Sequence, residues 1–198
     1  MRARLKSQWL VMAALLIAVS SGADAYGWPA ASLESRHKNC MGCHTAAGSW
    51  TDTSMIVLDI VDPVSKGSFR KADGSFEIAV KRGEERRVKS IFGMKPGVRF
   101  PPDMVGWLYV FTPALESAHE SALKFAPGWE VNRPFCGKRL VEQVDGYPGD
   151  KLAAITMTIR PLENAQDTTV DLQVLFKSLA RGLAADYYER SVRLVVTP

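Results

Sequence analysis

The chain has 198 residues, 46% of them hydrophobic and 23% charged. That is an ordinary globular composition with ample length for one packed core. The formal charge is +4, too small a surplus to argue for nucleic acid as a partner.

Residues 1–25 have the layout of a secretory signal peptide. Arg2, Arg4 and Lys6 make a positive start, Trp9 to Val19 is an uninterrupted apolar run, and Ala23-Asp24-Ala25 supplies small residues for cleavage. The run is short of the roughly 20 residues a spanning helix needs. The chain is therefore expected to be exported to the periplasm, with no membrane span after cleavage. Removal of the segment would lower the formal charge to +2, so part of the basic character belongs to it.

Residues 26–55 carry the chemistry, in the stretch Asn39-Cys40-Met41-Gly42-Cys43-His44-Thr45. Two cysteines two residues apart suit a redox dithiol, half a zinc site or a haem anchor. The preceding residues do not read as the buried strand of a thioredoxin-like βαβ unit. A four-cysteine zinc site needs a second pair, and only Cys136 remains. His44 directly after Cys43 completes Cys-x-x-Cys-His, the pattern of covalent haem attachment. One helical turn would put both sulfurs on one porphyrin edge and turn the imidazole under the metal.

Through Cys40, Cys43 and His44 the chain resembles c-type cytochromes. The resemblance implies one covalent haem c, thioether bonds from both cysteines and His44 as proximal iron ligand. It covers only the segment around residues 33–50. Class I cytochromes c are small and helical, and the rest of this chain departs from that pattern.

After the motif the apolar residues recur mostly with period two, so residues 56–198 are expected to form one β domain. Ser54 to Ile60 is β-rich. Asp73-Gly74 signals a turn, and Phe76, Ile78 and Val80 then share one face of a strand. The stretch "KRGEER" is expected to fold this strand back as a hairpin onto "RVKSIFGM" (87–94). Residues 105–113 form a further aromatic, β-branched run, and 114–125 is the main helical candidate. Three alternating runs at 152–161, 168–177 and 187–196 suggest one antiparallel sheet with a wet face. Counting all candidates gives seven or eight strands, which suits an immunoglobulin-like antiparallel β-sandwich preceded by a short helical haem-attachment segment. A haem near the mature N-terminus followed by a sandwich is similar in outline to cytochrome f. That family uses an N-terminal amine as distal ligand, a role that would fall here to Tyr26. The start reads Tyr-Gly-Trp-Pro, the spacing to the motif is shorter, and the likeness is one of layout.

The other axial position decides the function. Methionine raises the potential and suits electron transfer, while an open site admits substrates or gases. Met104 and Met94, in the Gly- and Pro-rich "GMKPGVRFPPDM", are alternative distal candidates, as is His119 in the helical candidate. Against each stands a plain role: core filler for methionine, solvated surface for histidine. Met55 and Met157 sit in strand patterns and read as core. His37 is too close to His44 along the chain to reach the opposite haem face easily. Cys136 is the odd thiol, either buried and inert, bridged to a partner, or an iron ligand. Lys81, Arg82, Arg86, Arg87, Lys89, Lys95 and Arg99 form a basic run in 81–99, expected as a solvated face or as a docking surface for an acidic redox partner. The expectation is an exported monohaem cytochrome acting as electron carrier or redox subunit. The alternative is a haem enzyme or gas-binding sensor with an open distal iron site.

Overall fold

Where one side of an extended segment is apolar and the other is not, alternate residues settle on opposite faces of a sheet. The computed structural model describes residues 53–98, 101–111, 125–178 and 185–198, all within the unit Glu34–Pro198. A 3-10 turn at Thr53–Met55 leads into β1 (Ile56–Val61). Then come β2 (Phe76–Lys81), β3 (Arg86–Met94), β4 (Met104–Phe111), β5 (Trp129–Val131) and β6 (Phe135–Arg139). The last three strands are β7 (Leu152–Pro161), β8 (Thr168–Lys177) and β9 (Ala185–Thr197).

These strands form a two-sheet, immunoglobulin-like sandwich. The first sheet has the order β1-β3-β7-β5 and the second β2-β9-β8-β4-β6. All pairings are antiparallel except β2 with β9, which run parallel from Phe76↔Val192 to Lys81↔Thr197. Leu58, Ile60, Val88, Phe92, Ile155 and Met157 of the first sheet meet Ile78, Val105, Tyr109, Leu172, Val174 and Leu194 of the second in one apolar core. Across the gap the rings of Phe92 and Trp107 stack at 5.6 Å. The Ser90 and Tyr109 hydroxyls lie 3.0 Å apart, a buried inter-sheet hydrogen bond. Such pairs fix one sheet against the other as well as adding contact area.

Three sequence expectations are corrected here. β2 and β3 do not form a hairpin, because their apolar faces are needed on opposite walls of the core, and residues 82–85 carry the chain from one sheet to the other. Arg82 secures that crossing by donating to the carbonyls of Leu162, Glu163 and Ala165. Arg86 donates to the Ala79 carbonyl and the Asp62 carboxylate. The three C-terminal runs do not share a sheet either: β8 pairs with β9, but β7 pairs with β3 and β5. Finally, the outer face of the second sheet is not uniformly wet. Among residues pointing outward, Leu108 is 5% exposed, Val110 0%, Leu175 8% and Tyr187 7%. None of the four belongs to either apolar cluster formed by the described residues.

The outer face of the first sheet has a small core of its own. Val57, Val61, Ile91 and Leu152 are buried beneath Val144 and Tyr147 of the connection between β6 and β7. The Tyr147 hydroxyl donates to Asp59 at 2.7 Å. Burial first, then that hydrogen bond and the Asp59 charge, push the Tyr147 phenol above its ordinary range. Burial would also push Glu142 up, but its bonds to Lys138 and the Ala154 N–H hold it below the ordinary carboxyl value. Two glycines let this connection close. At Gly93 a Cβ would lie 2.5 Å from both the Leu152 side chain and the Lys151 carbonyl; at Gly149, with φ +110°, it would lie 2.9 Å from the Met94 carbonyl.

Candidate functional site at one end of the sandwich

Cys40, Cys43 and His44 lie outside the described residues, as do His37, His119, Arg99, the signal-like segment and the helical candidate. Two thiols and an imidazole in this spacing are the donor set of covalent haem. The covalent chain fixes where the motif joins the sandwich. His44 precedes Thr53 by nine residues, a reach of at most about 30 Å at ~3.3–3.6 Å per residue. The chain leading from the motif thus enters the described sandwich at the start of β1, the receiving end.

Strand direction decides what else is at that end. Ile56 pairs with Met94, the last residue of β3. The Lys95 N–H donates to the Met55 carbonyl at 2.8 Å. The inter-sheet contacts of Ser90 with Tyr109 and Phe92 with Trp107 set Met94 at the level where β4 starts with Met104. β8 ends there too, since Lys177 pairs with Met104. Met94 at the end of β3 and Met104 at the start of β4 thus both lie at the end where the chain enters β1. By contrast, the segment holding His119 leaves β4 after Phe111 and returns before Phe125, both at the far end.

The two methionines differ sharply in availability. Met94 is 2% exposed and belongs to the main core. Met104 is 39% exposed and points outward from the second sheet, since its neighbour Val105 faces the core. Its strand partners on either side are Arg139 and Lys177. Neither makes an ion pair with a described residue. Two residues along β4, Gly106 pairs with Gly137 of β6, and Leu108 pairs with Phe135. Phe135 is 50% exposed. Paired glycines leave a strand surface low enough for close approach. A thioether, two cations and an apolar floor therefore share one outward face. Asp103 steadies its edge: its N–H donates to the Lys177 carbonyl, its carbonyl accepts from Leu140 and its carboxylate accepts from Lys151.

Other residues singled out from sequence fall elsewhere. Met157 is core, at 2% exposure, and Met55 is partly buried at the receiving end. Cys136 lies on edge strand β6, paired in register with Trp107. The basic run is divided: Lys81, Arg82, Arg86 and Arg87 are at the far end, Lys89 is on the outer face of the first sheet, and Lys95 is at the receiving end. Arg139, Lys177 and the Gly106–Gly137 pair carry no mark by local pattern. The sequence signal for them is that "MVGWLYVF" and "LQVLF" are apolar on both faces, which implies cover on both sides. Among the described residues no cluster of three metal-ligating side chains occurs and no helix is long and apolar enough to cross a membrane.

No protein-family model matches the chain, and no curated protein matches it. Among solved structures it is similar to the ASH/PapD-like domain of human CEP192, at 10% identity and TM-score 0.34, covering 75% of this chain and 90% of that one. It is also similar to AggA, the major subunit of aggregative adherence fimbriae type I from Escherichia coli, at 13% identity and TM-score 0.36, covering 72% and 94%. A third is the periplasmic chaperone SfaE, at 7% identity and TM-score 0.33, covering 63% and 56%.

Proposed function

We propose that the protein is an exported, periplasmic monohaem c-type cytochrome whose sandwich serves as an electron-transfer protein or redox subunit. The observation that carries this reading is Cys40-x-x-Cys43-His44 behind a signal-like N-terminus. Haem c, once attached, supplies the change between ferrous and ferric iron. The chain's own residues anchor it through Cys40 and Cys43, ligate it through His44 and surround it with low-dielectric protein. Met104 is the distal ligand this reading favours, because its thioether reaches solvent at the receiving end whereas Met94 is sealed in the core. An acidic redox partner docks on basic surface from the 81–99 run. Of its described members only Lys95 lies at the receiving end, so that is where contact with a haem edge is expected.

The second reading, a haem enzyme or gas-binding sensor with an open distal position, is favoured by the burial of Met94, which removes one of the two nearby thioethers. Visible spectra of the mature protein, oxidised, reduced and reduced with carbon monoxide, separate the two. A low-spin spectrum with the weak red band of thioether-bound ferric iron and no response to carbon monoxide supports the carrier. High-spin bands with ready carbon monoxide binding move the assignment to the open site. A pyridine haemochrome assay that finds no covalent haem overturns both.

A further inference from the structure

Strand β7 has a neighbour at each end of one edge and a gap between them. β5 pairs with it from Pro161 back to Ile159. The chain then leaves through Arg133 and Pro134 for the second sheet, where the Pro134 carbonyl accepts from the Tyr109 N–H. It returns at Glu142, which exchanges two backbone hydrogen bonds with Leu152. Side chains cap the rim of the gap. The Ala154 N–H donates to the Glu142 carboxylate at 2.8 Å and its carbonyl accepts from the Lys138 ammonium at 3.0 Å. The Thr158 N–H donates to the Asn132 side chain at 3.0 Å and its carbonyl accepts from the Asn132 N–H at 3.3 Å. Alternate residues of a strand direct their backbone groups to the same edge, so the N–H and carbonyl of Thr156 also face this gap. No described residue bonds to either.

Beside Thr156 lies a groove of about 700 Å³ between β7 and β6, lined among others by Ile155, Pro134, Phe135 and Lys138. Phe135 is 50% exposed on its rim. Residues 132–142 hold three cations, Arg133, Lys138 and Arg139, against one carboxylate, Glu142. Glu142 is already engaged by Lys138 and Ala154. Arg133 and Arg139 are exposed and make no ion pair with a described residue.

We propose that this flank binds an extended acidic segment of a partner protein. The segment pairs with Thr156 as a short added strand and sets an apolar side chain against Phe135. The distance from Ala154 to Thr158, about 13 Å at ~3.3 Å per residue, suits a strand of about four residues. Main-chain bonds at a sheet edge give such a segment its hold, and side chains give selectivity. The cations select acidic residues. They also disfavour a second copy of this chain, which would bring a like cluster against them. No residue of the haem motif enters the inference, which stands apart from the cytochrome reading.

The test begins with amide hydrogen exchange of the full-length exported protein, read residue by residue by NMR. Thr156 is expected to exchange about tenfold or more faster than Ile155 and Met157, whose amides face β3. Random phage-displayed peptides about ten residues long are then selected on the same protein. The enriched sequences are expected to alternate apolar residues with Asp or Glu. A synthetic peptide of that sequence should slow Thr156 exchange about tenfold or more, and Arg133→Glu/Arg139→Glu should weaken its binding by about tenfold or more. N-methylation of every second peptide residue should abolish binding in one phase of the alternation and spare it in the other.

Slow exchange of Thr156 in the free protein overturns the inference, because the gap is then already filled. So does a selection that yields no acidic binder, binding that leaves Thr156 exchange unchanged, or binding that tolerates N-methylation in both phases. If the glutamate variant does not fold, salt dependence of peptide binding to the wild-type protein replaces it, and an affinity independent of salt overturns the acidic occupant.

Discussion

Replacing Tyr109 by phenylalanine should cost more than the loss of one oxygen implies. Tyr109 is 1% exposed and Ser90 2%, and their hydroxyls are mutual partners across the two sheets at 3.0 Å. Tyr109→Phe leaves the Ser90 hydroxyl buried without its partner, and Ser90→Ala does the same to the phenol. Each single change is expected to cost about 1–3 kcal/mol, the desolvation penalty of an orphaned polar group. The double variant removes both polar groups together and should lose little more than the worse single one, giving a coupling of about 1–3 kcal/mol. Urea unfolding of the four proteins at pH 7 measures this directly, and each kcal/mol corresponds to about 2–4 °C in Tm for a domain of this size. Strict additivity of the two losses would refute the reasoning. An alkaline arm checks it independently. Burial, only partly offset by the Ser90 hydrogen bond, raises the Tyr109 phenol above its ordinary pKa of 10.0. The folded state thus favours the neutral form, so this stability is fully present below pH ~10 and is lost above it, by up to about 1.4 kcal/mol per pH unit. Tyr109→Phe should flatten that decline. Tyr147 is raised in the same direction but is more exposed, so a weaker slope remains.

Gly93→Ala should destabilise the sandwich by about 2 kcal/mol or more in denaturant titration, because a Cβ there meets the Leu152 side chain and the Lys151 carbonyl at 2.5 Å. An unchanged midpoint would mean that this clamp yields freely. Met94→Leu, a swap of similar volume in the core, should cost less than about 1.5 kcal/mol and leave the visible spectrum of the holoprotein untouched. Loss of the red band in that variant would return Met94 to the ligand position. Arg82→Gln should lower stability by about 1 kcal/mol through its three carbonyl contacts. The salt dependence of electron-transfer rates should stay as in the wild type, and a weakened dependence would show that the far-end part of the basic run docks a partner.

The period-two runs at 152–161 and 168–177 coincide with β7 and β8 in full, because side-chain alternation is a local property of an extended chain. Partnership was not legible. Whether β7 lies beside β8 or across the core from it depends on which apolar faces meet, and the same alternation serves both arrangements. β5 and β6 escaped notice for another reason: three and five residues are too few to show a period. Cys40, Cys43 and His44 stand out in the sequence by the spacing of thiols and imidazole alone, and they lie outside the described residues. Choosing between Met94 and Met104 required burial, and the pairing of Met104 with Arg139 and Lys177 required register. Neither is encoded in neighbouring residues.

The parallel union of β2 with β9 has a consequence for the order in which this molecule is built. Among the described residues β2 has no other strand neighbour, and β9 is a 13-residue strand more than 100 residues further along the chain. The second sheet therefore waits on a contact that spans more than half the sequence, the kind of long-range closure that slows folding. In a chain delivered N-terminus first, the Cys40–His44 segment arrives well before the strand that completes the second sheet. On the proposed cytochrome reading, haem attachment would have an interval in which the motif is present but the sandwich is unfinished. Truncation before Ala185 would prolong that interval indefinitely, leaving β2 and β8 each with a bare edge.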